Sequence, residues 1–292
     1  MDFSKWTCRA SKLGTLMTGK IGITDNQESE LAGYEEKLRS GKALTPRQEG
    51  IYRDLSEKKA NPELPKTVQT ELRNVYRQEK HGREFMFTNK YLQKGIFEEE
   101  SSITVISKFL NVPLIKYKGE RKHGEFFQGM PDIVLKPFGI DAKSVWSLQT
   151  LPFGDEELDS VYEWQNQAYM DLFDKDKWIT AKVLVNANGP ILMNEINKFW
   201  YASGQPEISD PDWIGMAKKI ERNMIFDLSL FLRDNPTYSM LYHSQDEWVY
   251  DIPMEQRIIL FDSDRDEEKL REARERVKMS RDYLKNLQEK FG

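Results

Sequence analysis

Two acids and a lysine close together in the chain, Asp132 and then Asp141 and Lys143 of the triplet Asp141-Ala142-Lys143, are of types and at a spacing that could do chemistry. The apolar run Ile133, Val134 and Leu135, the turn Lys136-Pro137-Phe138-Gly139 and the return through Ile140 and Ala142 predict a β-hairpin with a four-residue turn. Side chains alternate along a strand, so Asp141 and Lys143 share one face, and pairing around that turn sets Asp132 opposite Lys143. Carboxylates that converge without partners repel and raise one another's pKa, a penalty that a divalent cation relieves. Hard oxygen ligands favour Mg²⁺ or Mn²⁺ over zinc. The other reading of the same residues is a surface hairpin that carries a structural Asp–Lys ion pair.

The segment from Gly95 to Leu110 offers a third carboxylate. Ile96, Glu99, Ile103, Ile106 and Leu110 recur at three- and four-residue steps, which predicts one amphipathic helix with Glu99 inside its apolar stripe. Glu98 and Glu100 each turn about 100° away from it. A glutamate on a buried stripe is costly unless it is paired or ligates a metal, which makes Glu99 the candidate third ligand. A glutamate favoured at a helix N-terminus by the macrodipole accounts for the position equally well.

Four separated signals, in chain order, resemble the PD-(D/E)xK nucleases and, within them, the phage lambda-type (YqaJ-like) alkaline exonucleases. The first is Arg9-Ala10-Ser11-Lys12-Leu13-Gly14-Thr15-Leu16-Met17-Thr18, similar to an R-x-S segment followed by a small-residue helix. The second is Gly95 with Glu99, and the third is Asp132 with Asp141-Ala142-Lys143. The fourth is Gln165-Asn166-Gln167-Ala168-Tyr169, similar to a Q-x-Q-x-Y helix, followed by an apolar strand from Trp178 to Val185. The resemblance covers about residues 5–23 and 85–190.

The resemblance implies that Asp132, Asp141, the carbonyl of Ala142 and Glu99 hold Mg²⁺, for which Mn²⁺ can substitute. It also implies that Lys143 orients or helps deprotonate the attacking water, whose pKa the metal lowers. Arg9 and Ser11 would grip a phosphate at a DNA end, because guanidinium and hydroxyl supply a fork of donors. Gln165 and Tyr169, one turn apart, would face the site and contact DNA or the attacking water, while Gln167 points elsewhere. Ring-shaped trimers and an annealing-protein partner are further implications. Two departures stand out. The second acid is Asp141, where glutamate is commoner, and a polar stretch over residues 23–80 has no counterpart. In that stretch Thr45-Pro46-Arg47-Gln48 reads as a capping box with proline at the first helical position, which predicts a helical insertion.

Composition sets outer bounds. The chain can bury one substantial core, as a single domain with appendages or as two small domains, and it is read as a single nuclease domain over residues 1–292. The single cysteine, Cys8, excludes both an internal disulfide framework and a four-cysteine iron–sulfur cluster. Neither a membrane-length apolar run nor a secretory signal is present, so a cytoplasmic location with no membrane partner is expected. The net charge of −5 argues against nucleic acid only until its distribution is considered. Lys5, Arg9, Lys12 and Lys20 cluster near the start, and Lys116, Lys118, Arg121 and Lys122 crowd one loop, either as phosphate tracks or as a solvated hairpin tip. His81, His123 and His243 are scattered without metal-ligand spacing, and no Walker sequence appears.

The last third is read as mostly helical. Asp210-Pro211 starts a helix towards Arg233, which Asn235-Pro236 stops. In a C-terminal amphipathic helix over 264–291, Leu270, Ala273, Val277, Ser280, Leu284, Leu287 and Phe291 form a heptad seam, free to pair with another subunit or to lie on its own domain. The expected fold is α/β, a restriction-endonuclease-like core with a central mixed β-sheet flanked by helices. The expected function is Mg²⁺-dependent 5′→3′ exonucleolytic hydrolysis of linear double-stranded DNA in phage-type recombination. An endonuclease, or a non-catalytic DNA-end-binding protein on the same fold, is the alternative.

Overall fold

A computed structural model describes residues 2–85, 88–238 and 242–292. In chain order the elements are β1 (Cys8–Arg9), α1 (Ala10–Leu16), α2 (Asp25–Arg39), α3 (Pro46–Ala60), α4 (Lys66–His81), α5 (Lys90–Phe97) and α6 (Glu99–Leu110). Strands β2 (Lys122–His123), β3 (Phe127–Gly129), β4 (Ile133–Val134) and β5 (Phe138–Val145) follow, then α7 (Ser160–Phe173) and β6 (Lys177–Leu184). The chain continues through α8 (Gly189–Ala202), α9 (Pro211–Met224), α10 (Leu228–Asp234), β7 (Ile258–Asp264) and α11 (Glu267–Phe291). The chain divides into two compact units. The first comprises Met1–Phe85, His123–Gln128 and Asp266–Gly292, and the second Met86–Lys122 and Gly129–Arg265.

The second unit is built on a mixed sheet in the order β4-β5-β6-β7, with β5 and β6 parallel and both outer pairings antiparallel. On one face Ile133, Ile140, Ala181 and Val183 pack with Ile103, Val105 and Ile106 of α6. On the other lies α7, where the amide of Asn166 donates to Thr180 and Ser263, each at 2.9 Å. Trp178 of β6 closes over Gly139 of its neighbour β5, where any Cβ would meet the indole at 2.2 Å. Only glycine fits beneath that ring.

The hairpin forms with a tighter turn than the sequence suggested. Leu135 donates to the carbonyl of Phe138 at 2.8 Å, so only Lys136 and Pro137 lie outside the pairing, and Ile133 sits opposite Ile140. The register therefore brings Asp132 to the level of Asp141, not Lys143.

Two expected helices are interrupted. The stretch from Gly95 to Leu110 kinks at Glu98, whose ψ of 12° lies outside the helical range, so Ile96 turns out to 63% exposure while Glu98 is only 7% exposed. The helix beginning at Asp210 ends at Met224, and α10 starts anew after Asp227, whose side chain caps Leu230. The cause is a competing set of bonds. Asn186 accepts from the N–H groups of Phe226 and Asp227 at 2.7 and 3.1 Å, and Ala187 donates to the carbonyl of Met224. The backbone at the gap is thus bonded to the loop after β6.

In the first unit the heptad seam of α11 is buried within its own fold, except for the exposed Phe291. It packs on α4, on α1 and on the 3-10 turn Phe3–Lys5. Buried Arg276 donates to the carbonyls of Leu16 and Gly19. The polar stretch over 23–80 holds α2, α3 and most of α4, and Thr45 and Gln48 make both bonds of the capping box. Helices α2 and α3 share a small cluster of Ile23, Leu31 and Leu55, whereas α4 contributes Val68 and Leu72 to the interior. No helix among the described residues is long and apolar enough to cross a membrane.

Candidate active site

Strand β5 positions the chemistry. Its alternation puts Ile140, Ala142 and Ser144 towards α6, where the Ser144 hydroxyl meets that of Ser102 at 2.8 Å, and it puts Asp141 and Lys143 towards α7. The Lys143 ammonium lies 2.5 Å from Oδ2 of Asp141. Asp132, just before β4, accepts the main-chain N–H of Ala142 at 2.7 Å. From α7 the Gln165 amide donates to Oδ1 of Asp141 at 3.1 Å and to the Tyr169 hydroxyl at 3.4 Å, and that hydroxyl donates to the carbonyl of Met130 at 3.1 Å. Tyr169 also stacks on Trp178 with ring centroids 5.1 Å apart.

The electrostatics follow from burial. Burial first, and then the neighbouring Asp141, push the Asp132 carboxyl up to about 7, against the pull of Lys143 and the Ala142 N–H. Burial works to discharge Lys143, but Asp141 outweighs it and holds the ammonium above the usual lysine range. Burial and Asp141 likewise raise Tyr169.

These residues suit a hard divalent cation. Two carboxylates in one buried place repel, and Oδ2 of Asp141 has an ion pair but no hydrogen bond. A third acid does not join them closely: among the described residues no group of three or more His, Cys, Asp or Glu side chains is placed to hold a metal ion. Glu99 opens α6, in the macrodipole position, and pairs with Lys116 at 2.9 Å with its side chain 25% exposed. Both Glu99 and Lys116 act on the charge of Asp132. Lys116 is thus tied to Glu99 within reach of the Asp132 charge, unlike its loop neighbours Lys118 and Arg121, which are exposed, and Lys122, whose ammonium lies 4.8 Å from the Phe173 ring.

The remaining expected site residues divide between the two units. Arg9 and Ser11 belong to the first unit, where Arg9 precedes α1 and pairs loosely with Glu84 at 3.7 Å, and Ser11 is exposed in the first turn of α1. Gln165 and Tyr169 are buried, and the bonds just described join them to other groups of the protein. Gln167 reaches the carbonyl of Asp264 on β7, away from the acids, as expected. A cavity of about 760 Å³ in the first unit, lined by residues of α4 and α11 such as Arg77 and Tyr283, contains none of the acids.

Two residues absent from the sequence reading stand beside Lys143. Lys182 of β6 is its register partner, and the ring of Tyr162 on α7 lies 5.3 Å from the Lys143 ammonium and 4.1 Å from that of Lys182. The strand from Trp178 to Val185 was legible, but its parallel pairing with β5, which sets Lys182 beside Lys143, carries no local signal.

No family model matches the sequence, and no curated protein matches it. Solved structures do. A phage-related exonuclease from Haemophilus somnus 129PT is 21% identical, with a TM-score of 0.61 over 99% of this chain and 97% of that one. An alkaline exonuclease from Laribacter hongkongensis, LHK-Exo, is 12% identical with a TM-score of 0.49 over 100% of this chain and 96% of that one. With the mixed sheet and flanking helices described above, the first likeness shows that the chain shares the fold of that phage-related exonuclease.

Proposed function

We propose that the chain is a metal-dependent deoxyribonuclease that hydrolyses linear double-stranded DNA as a 5′→3′ exonuclease in phage-type recombination. One observation carries the reading: Asp132, Asp141 and Lys143 converge on one face of β5 and its neighbour, with Gln165 holding Asp141. A bound Mg²⁺ or Mn²⁺, held by Asp132, Asp141 and the Ala142 carbonyl with Glu99 completing the set, would relieve the repulsion between the acids, activate water and stabilise developing negative charge. Lys143, kept charged by Asp141, serves as a hydrogen-bond donor that orients the attacking water and meets the charge that grows on the phosphate. Gln165 fixes the rotamer of Asp141, and Tyr169 fixes Gln165 in turn. Ala142, through its N–H, fixes Asp132.

Arg9 and Ser11, both exposed, supply donors suited to a terminal phosphate. Lys118, Arg121 and Lys122 form an exposed basic loop suited to the duplex backbone. The test is digestion of linear duplex labelled at either end, with and without 5′-phosphate, in Mg²⁺ and in EDTA, beside an Asp141→Ala variant. Metal-dependent loss that starts at phosphorylated 5′ ends and vanishes in the variant is expected. Equal cutting of closed circles would turn the reading to an endonuclease, and no digestion in Mg²⁺ or Mn²⁺ would turn it to a DNA-binding protein on this fold.

A further inference from the structure

We infer that Lys182 holds a backbone phosphate of the bound nucleic acid beside the one on which Lys143 acts, an assignment that rests on the nuclease reading of this site. Strands β5 and β6 run parallel and in register, with Lys143 opposite Lys182, so the two side chains leave the same face of the sheet about 4.8 Å apart. The ring of Tyr162 serves both ammonium groups, at 5.3 and 4.1 Å from its centroid, and its negative face offsets part of their mutual repulsion. Their partners differ. Lys143 has Asp141 at 2.5 Å, whereas among the described residues the Lys182 ammonium makes neither an ion pair nor a hydrogen bond.

A partly buried ammonium without an anion is unfavourable, and burial lowers the pKa of Lys182 from its usual value. Two of the acids nearby have other bonds to make, though the charges of Asp159 and Asp141 still favour the ammonium. Asp159 caps α7 by accepting from Val161 at 3.0 Å, and Glu156 accepts from the backbone N–H of Phe153 at 2.7 Å. Lys182 opens into a cavity of about 250 Å³ that Gln149 and Thr150 also line. Glu156, Glu157 and Asp159 on the rim of that cavity exclude a free-standing anion site there. They leave room for an anion that arrives already fixed in place by the rest of a polymer, which is what a phosphodiester next to the scissile one is.

The test measures binding of the full chain to fluorescein-labelled duplex DNA in EDTA, where no digestion occurs, between about 50 and 300 mM salt, for the wild type, Lys182→Met and Lys182→Arg. If Lys182 meets a phosphate, the Met variant binds about 5- to 10-fold more weakly at the low-salt end, and its plot of log K against log salt is shallower by about one unit. Arginine restores both affinity and slope. With Mg²⁺ present, the Met variant raises KM and leaves kcat within about threefold of the wild type. An unchanged slope in Lys182→Met overturns the assignment, even if melting shows a loss of stability, because Lys182 would then pair within the protein. The wild-type digestion assay keeps the two readings apart: a chain that binds DNA with a Lys182-dependent slope but digests nothing would refute the nuclease reading and leave this phosphate contact standing.

Discussion

Two lysines meet strand β5, half-buried Lys143 within it and buried Lys94 from α5, and the two are treated in opposite ways. Lys143, on the α7 face, is next to a carboxylate and stays charged. Lys94, at the carboxyl end of the same strand, donates to the carbonyls of Val145 and Trp146 at 2.9 and 3.1 Å, and burial pushes its pKa down to about 7, with only Glu98 opposing. Carbonyl dipoles satisfy the donors of an ammonium without matching its charge, whereas a carboxylate does both. The comparison separates a lysine suited to handling phosphate from one that closes the end of a sheet.

The largest effect should come from removing the charge pair. Asp141→Ala should reduce metal-dependent digestion by about 10³-fold or more, and Lys143→Met by about 10²-fold, in single-turnover assays. Both proteins should still melt cooperatively. A Lys143→Met enzyme of wild-type rate would make the two lysines equivalent and remove the distinction.

Lys94 should show itself in stability instead. Its folded pKa lies below the unfolded one, so between about pH 7 and 10.5 the unfolded chain binds more protons, and stability rises with pH by up to about 5 kcal/mol. Lys94→Met should abolish that rise and, near pH 7, lose about 1–3 kcal/mol by leaving two carbonyls without a donor. Urea denaturation at several pH values checks both, and parallel pH profiles for the two proteins would show that Lys94 does not titrate here.

Asp132 supplies the opposite sign. Its folded pKa of about 7 exceeds that of an unfolded aspartate, so the native state holds the extra proton and the metal-free protein should lose about 3 kcal/mol as pH rises from about 4 to 7. Asp132→Asn should flatten that decline, as should Mg²⁺ if it binds here. A profile unchanged by the substitution would place the repulsion elsewhere. The smallest effect is expected at Glu99. Its pair with Lys116 is part-exposed, so Glu99→Gln should change stability by less than about 1 kcal/mol, while the Mg²⁺ concentration for half-maximal digestion should rise about tenfold. No change in metal requirement would leave Glu99 as a partner of Lys116 alone.

Much of the site could be read because its rules are local. Asp141 and Lys143 follow from the two-residue strand period, and the facing of Gln165 and Tyr169 from one helical turn. The turn length could not be read, because Phe138 and Gly139 look like turn residues but are paired, one of them as the seat of Trp178. The kink at Glu98 was hidden because the apolar pattern runs unbroken across it. The gap after Met224 depends on Asn186, about forty positions earlier, and β7 pairs with a strand far behind it in the chain. Lys182 belongs to the same class, since its neighbour is set by tertiary pairing alone.

The placement of α11 has a consequence for the order in which the chain matures during synthesis. Every residue of the second unit precedes Asp266, so all of its strands have been joined before α11 is made. The first unit cannot close so early, because Leu270, Val277 and Leu284 are part of its interior and Arg276 must reach the carbonyls of Leu16 and Gly19. Its opening segment therefore waits through most of translation for its partner, and a premature stop after Arg265 would deprive the first unit of its core while leaving the carboxylate site with all of its residues.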